Sequence, residues 1–168
     1  MKFTLLILIS LLGLFVFGQN SIDPDYKDMI ERKYHFPTIP QDSAQKLIGT
    51  KGVHFLDTRE QEEYNVSHLP GAVYTGYDNF QWSALKAIDT TEIIIVYCSI
   101  GVRSQNIAEK LSERGYSKVY NLYGGIFLWA DQSRPMENKS GKKTKKVHAY
   151  NKFWGRWVKK APKVYEEE

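Results

Sequence analysis

The reactive chemistry of this chain is concentrated in one short stretch, Cys98-Ser99-Ile100-Gly101-Val102-Arg103-Ser104, which holds the only cysteine. Ahead of it stands Ile93-Ile94-Ile95-Val96-Tyr97, an apolar run without alternation, as expected of a strand buried on both faces of a parallel sheet. Behind it, residues 104–114 read as a helix, with Ile107, Ala108 and Leu111 on one face and Gly115 past its end. A loop between such a strand and such a helix lies where open α/β sheets bind ligands, outside the carboxyl ends of the strands. Its small residues allow successive backbone N–H groups to turn inward as a nest for an anion. The helix N-terminus adds a partial positive charge and Arg103 a full one, so all three features favour thiolate over thiol. Gly101 relaxes the backbone where the loop must curve. A thiolate cradled by N–H donors can attack a sulfane sulfur and then hold the persulfide that forms, which is also an anion. By residue type alone, Cys98 could equally be a small buried hydrophobe. Its place after a buried strand, with Gly101 and Arg103 at loop spacing, favours the nucleophile.

Other polar residues are candidates for support. Asp57 and Arg59 stand at the end of a strand, where they either face the rim of the site or form an ion pair that fixes the loops. His68 sits in the turn His68-Leu69-Pro70-Gly71-Ala72 and reads as a hydrogen-bonded turn residue. A general base is not needed if Cys98 is already ionised. Tyr74, Tyr77, Phe80 and Trp82 are candidates for a pocket mouth or for core packing, and Trp129 for the core.

These residues are positioned by alternating helices and strands. Asp23 or Asp25 is expected to cap a first helix running to about Lys33, with Tyr26, Met29, Ile30 and Lys33 at helical spacing. Asp42 or Ser43 is expected to cap a second helix containing Ala44, Leu47 and Ile48. Strands are expected at Val53–Asp57, around Val73, at Ile93–Tyr97 and at 119–122. Helical segments are expected at 60–64, 80–87 and from Ile126 to Ala130. This alternation predicts an α/β sandwich around a mostly parallel sheet.

Length and composition agree. The chain has 168 residues, 42% hydrophobic and 25% charged, which fits one globular domain and excludes whole-chain disorder and a multi-pass membrane protein. One cysteine excludes an internal disulfide framework. Lys2 followed by an uncharged, mostly apolar run from Phe3 to Phe17, with Val16 and Gly18 ahead of Gln19, has the outline of a secretory signal peptide over residues 1–18. That run is short for a bilayer span, so the expectation is an exported protein, periplasmic or secreted, without a stable membrane span after cleavage; the alternative is an uncleaved segment retained as a membrane anchor. Residues 19–37 form a lead-in helix, 38–133 the domain, and 134–168 a basic, aromatic tail. Residues 19–133 carry 11 Lys and Arg against 15 Asp and Glu, whereas residues 134–168 carry 11 against 4. In an exported protein such a tail is expected to be a solvated or surface-seeking segment, not a nucleic-acid binder. Residues 134–146 read as a flexible linker. Residues 147–164, with His148, Tyr150, Phe153, Trp154 and Trp157, are too aromatic for a solvated tail and are expected to pack back on the domain or to bind a protein partner.

Four motifs occur in order: Phe55-Leu56-Asp57-Thr58-Arg59-Glu60; Glu63-Tyr64 through His68-Leu69-Pro70-Gly71-Ala72; Cys98 with Gly101, Arg103 and Ser104; and Val119-Tyr120-Asn121-Leu122 with Gly124-Gly125 and Trp129. Over roughly residues 39–132 the sequence resembles the rhodanese family. The resemblance implies a doubly wound three-layer sandwich with a central, mostly parallel five-stranded sheet. It also implies sulfurtransferase activity in which Cys98 cycles between thiolate and persulfide, with the loop from Ser99 to Ser104 binding substrate or persulfide. Related phosphatases of the cell-cycle type have one residue more between cysteine and arginine. The four residues between Cys98 and Arg103 match the sulfurtransferase size and disfavour a phosphatase or arsenate reductase. The expected donor is a small sulfur compound such as thiosulfate or polysulfide, and the acceptor cyanide or a thiol. No metal and no organic cofactor is required, because the protein carries the sulfur covalently. The alternative is a sulfur-carrier or protein-binding module with little turnover.

Overall fold

The computed structural model describes residues 22–166. The expected signal segment lies outside the described residues, among which no helix is long and apolar enough to cross a membrane. Helix α1 (Pro24–Lys33) starts on Asp23, whose side chain accepts from the Tyr26 N–H, with proline in its first turn. Then follow β1 (Thr38–Ile39), α2 (Gln41–Leu47), β2 (Val53–Asp57), α3 (Gln61–Val66) and β3 (Val73–Tyr74). A 3₁₀ turn (Trp82–Leu85) leads to β4 (Ile93–Tyr97), α4 (Val102–Glu113), β5 (Lys118–Leu122) and α5 (Gly125–Asp131). The last elements are β6 (Val147–His148), α6 (Lys152–Gly155) and β7 (Lys163–Val164).

The main sheet has the order β1-β5-β4-β2-β3 and every pair is parallel. Strand β4 lies at its centre, and its side chains alternate between two cores. Ile95 and Tyr97 join the core built with α1, α2 and α5, through residues such as Tyr26, Ala44 and Phe127. Ile94 and Val96 join the core built with α4, through Ile107, Ala108 and Leu111. Helices therefore cover both faces, which explains why β4 reads as an unbroken apolar run. This is the expected three-layer sandwich.

Three local expectations are revised. Helix α2 begins at Gln41 behind Pro40, and Asp42 lies in its first turn and pairs with Arg134 instead of capping. The segment near Phe80 shortens to the 3₁₀ turn, with Leu85 as its buried anchor. The stretch 134–146 is not a loose linker. Glu137 exchanges two backbone hydrogen bonds with His68, Thr144 donates to the Met136 carbonyl, and Met136 is buried. These bonds are backbone groups satisfied across distant segments, which a lysine-rich composition does not reveal.

Beyond it the chain folds back on the domain, one of the two outcomes expected. Val147, Ala149 and Val158 are buried in the same core as Trp129. The Trp157 ring stacks on Tyr26 at 5.4 Å. Asp131 accepts from the backbone N–H groups of Lys159, Lys160 and Ala161 at 2.7–3.0 Å.

Candidate active site

Cys98 follows directly on β4 and is 1% exposed. Gly101, with φ +89°, turns the chain so that its N–H points at the Cys98 Sγ, 3.1 Å away. A side chain there would meet both the left-handed backbone penalty and the Tyr34 hydroxyl. Helix α4 starts at the next residue, so its N-terminal dipole end faces the loop.

The loop's carbonyls are committed to partners outside it. Cys98 and Ser99 accept from the N–H groups of Ile126 and Phe127 at 3.0 and 3.1 Å. Ile100 accepts from the Tyr34 hydroxyl at 2.6 Å, and Gly101 from the Asn121 side-chain amide at 2.9 Å. The loop's amides are the groups left for an anion. Gly125 makes the first two bonds possible, because a Cβ at that position would overlap the Cys98 carbonyl oxygen and lie 2.6 Å from that of Ser99. Burial, followed by the nearby Cys98, pushes the Tyr34 hydroxyl far above its ordinary range, so Tyr34 remains a donor.

Glu63 closes the loop from the side. It is 2% exposed and lies on α3, where it also completes a capping box with Glu60. Its carboxylate accepts from the Ser99 hydroxyl at 2.8 Å and from Arg103 Nη2 at 2.9 Å to each oxygen. Burial alone would raise its carboxyl, but Arg103 and then Arg59 outweigh burial and hold it below the ordinary range. Burial would lower the Arg103 guanidinium, yet Cys98 and Glu63 together push it up. Arg103 is thus a fixed cation beside the loop.

The structure sorts the expected residues. Cys98, Ser99, Ile100, Val102 and Arg103 line one cavity of about 260 Å³ together with Lys33, Tyr150 and Trp154. Gly101 supplies its N–H from below. Ser104 is a correction: its side chain is fully buried, and its hydroxyl donates to Asn121 Oδ1 at 2.7 Å. It braces β5 against α4 and offers no hydroxyl to a substrate. Asp57 and Arg59 form a fully buried pair, with Arg59 Nε and Nη2 on the Asp57 carboxylate at 2.9 and 2.6 Å. Arg59 also donates to the Ser67 carbonyl at 2.5 Å, so the pair ties the end of β2 to the turn after α3. His68 stacks on Tyr64, shares Nδ1 with the Tyr64 carbonyl at 2.9 Å, and holds Glu137 through its backbone. These three residues support the loops and do not line the cavity. Tyr77, Phe80 and Trp82 line a separate, open groove with Lys110, Glu113 and Arg114, and that groove does not include Cys98.

Sequence reasoning passed over Glu63, Asn121, Tyr34, Lys33, Tyr150 and Trp154 as site residues. Glu63 lies in the motif Glu63-Tyr64 through Ala72, but its partners lie 36 and 40 positions away. In the sequence, Tyr150 and Trp154 are part of an aromatic tail more than 45 positions beyond the loop.

A parallel five-stranded sheet, a cysteine at the carboxyl end of its central strand and a short loop running into a helix define the class. The chain belongs to the rhodanese-like domain family, whose model matches residues 40–132. It is a member of the sulfurtransferase family on its curated relatives as well. It is 33% identical over 86 residues to the thiosulfate sulfurtransferase GlpE of Coxiella burnetii, covering 51% of this chain and 79% of that one. It is 33% identical over 111 residues to the thiosulfate sulfurtransferase GlpE of Actinobacillus succinogenes, covering 64% of this chain and 96% of that one. The rhodanese-like domain of the Anabaena protein Alr3790 has the same fold, with a TM-score of 0.55 at 22% identity over 62% of this chain and 80% of that one.

Proposed function

We propose that this protein is a single-domain sulfurtransferase that moves a sulfane sulfur through a persulfide on Cys98. The observation that carries the reading is the Gly101 N–H aimed at the Cys98 Sγ on the floor of a cavity. The Cys98 thiolate attacks the outer sulfur of a donor such as thiosulfate. The S–S bond of the donor breaks, sulfite leaves with the electron pair, and the persulfide terminus carries the negative charge. An acceptor nucleophile, cyanide or a thiolate, then attacks that outer sulfur, and Cys98 departs as thiolate. The attacking thiolate and the persulfide it becomes are both anions, so one preorganised cradle of N–H groups serves both. Starting from the thiolate, neither half-reaction transfers a proton at Cys98, and among the described residues no carboxylate or imidazole lines the cavity. The apolar leader supports action after export, in a periplasm or outside the cell.

Intact mass spectrometry tests the reading. Incubation with thiosulfate or polysulfide adds one sulfur atom, cyanide removes it, and Cys98→Ser protein never gains it. A Cys98→Ser protein with full transfer activity refutes the assignment. A persulfide that forms but is not passed to cyanide or small thiols favours the sulfur-carrier alternative.

A further inference from the structure

The cavity above Cys98 is only partly the work of the shared domain. Its floor and inner wall come from the loop Cys98 to Arg103, within the matched residues 40–132. Its outer wall comes from outside that region. Lys33 is the last residue of α1, Tyr150 lies between β6 and α6, and Trp154 is on α6. The segment carrying these aromatic residues is anchored by Val147, Ala149 and Val158 in the main core.

Tyr150 is held in place. It is a non-glycine residue with φ +64°, and its N–H donates to His148 Nδ1 at 3.2 Å. Its ring lies 5.3 Å from the Arg103 guanidinium, at cation–π distance. Trp154 receives its own support: its N–H donates to the Asn151 side chain at 3.0 Å, and its ring meets Phe153 edge-on at 5.0 Å. Both rings therefore stand at the mouth by construction, even though Tyr150 is 48% exposed.

Size and polarity indicate what the mouth accepts. A volume of about 260 Å³ is the liquid share of roughly nine water molecules. Thiosulfate, with five non-hydrogen atoms and two charges, leaves the aromatic end unfilled. Ile100 and Val102 offer no hydrogen bonds from their side chains, and Tyr150 and Trp154 present mainly ring carbon with one O–H and one N–H between them, so most of the wall is apolar and a dianion is desolvated there with little return. Arg103 is balanced by Glu63, and among the described residues Lys33 is the remaining cation of the lining. One cation and an apolar wall suit a singly charged molecule with an apolar or aromatic body.

We propose that Tyr150 and Trp154 are specificity-determining residues that make the Cys98 cavity prefer an organic sulfane donor, an apolar or aromatic body ending in an anionic sulfur, over an inorganic one. The proposal rests on the sulfur-transfer reading above. The chemistry is unchanged: with an aryl thiosulfonate, Cys98 takes the outer sulfur, the donor's S–S bond breaks, and the arylsulfinate leaves with the electron pair.

The test compares benzenethiosulfonate with thiosulfate as donor, with cyanide as the common acceptor, on the whole mature protein. The parent is expected to favour the aryl donor in kcat/KM by about tenfold or more, the scale of one buried aromatic contact with its area. Tyr150→Ala and Trp154→Ala, each checked for an unchanged circular dichroism spectrum, are each expected to lower the aryl-to-inorganic ratio at least about fivefold, chiefly through KM. Two separate variants guard against one that fails to fold. A parent with no preference, or a ratio that moves in neither variant, overturns the proposal while persulfide formation leaves sulfur transfer standing. A parent that gains no sulfur from either donor overturns both.

Discussion

Replacing Glu63 with glutamine tests the loop clamp most directly. The side chain keeps its shape but loses its charge, and one of its two ends becomes a donor. In the parent those two oxygens accept from the Glu60 N–H at 3.1 Å, the Ser99 hydroxyl and Arg103. Breaking a buried ion pair on one side costs about 3–5 kcal/mol, because the other charge is stranded. Arg103 retains 22% side-chain exposure, so water takes up part of that loss. The expected cost at pH 7 is therefore about 2–3 kcal/mol, or roughly 5–10 °C in Tm. The pH dependence has a definite sign. The folded-state carboxyl lies below the ordinary value of 4.5, so its contribution is complete above that value and is lost as pH falls through the folded-state titration. Urea denaturation of parent and variant from pH 7 downward should show a gap that is constant near neutrality and closes in acid. With Arg103 no longer pinned beside the loop, the rate of persulfide loading from thiosulfate should fall about tenfold at pH 7. A Glu63→Gln protein within about 0.5 kcal/mol of the parent that also loads sulfur at the parent rate refutes the clamp. So does a stability gap that persists unchanged below the carboxylate range.

Two other perturbations probe the scaffold. Gly125→Ala introduces a Cβ against the carbonyl oxygens of Cys98 and Ser99, both backbone atoms that cannot swing aside, at a residue with φ +55°; it should cost about 2–4 kcal/mol in chemical denaturation and abolish detectable persulfide loading. Truncation after Ser133 removes Met136, Val147, Ala149 and Val158 from the core and frees the His68 turn; Tm should fall by about 4–8 °C or more, and a truncated protein as stable as the whole chain would show that the extension is no part of the core.

The central elements were legible because local chemistry and tertiary role coincide in them. Ile93–Tyr97 is apolar at every position because it is covered on both sides, and Cys98, Gly101 and Arg103 lie within six consecutive residues. The cradle could be read as a unit because it is one. Glu63 was not legible as a clamp, since a glutamate on a short helix has the same appearance whether it faces water or an arginine forty positions later. Ser104 misled for the opposite reason: it lies in the loop motif, but it sits in the first turn of α4, where its hydroxyl meets Asn121 and not the cavity. The stretch 134–146 has the composition of a linker, and its order comes from main-chain pairing with His68, which side-chain composition does not encode. The left-handed backbone of Tyr150 breaks a local preference, and a rule based on residue type would not place a tyrosine there.

The burial of Cys98 also bears on which molecules can reach the thiol. A disulfide between two molecules requires their cysteine Cα atoms to approach within about 7 Å. Cys98 is 1% exposed at the bottom of a cavity walled by Tyr150 and Trp154, so a second folded copy cannot bring its own buried thiol that close. Covalent dimers are thereby blocked by shape alone, while molecules small enough to enter the cavity still reach the sulfur. The fold acts as a sieve on oxidation, admitting exchange with small sulfur compounds and shutting out the chain's own twin.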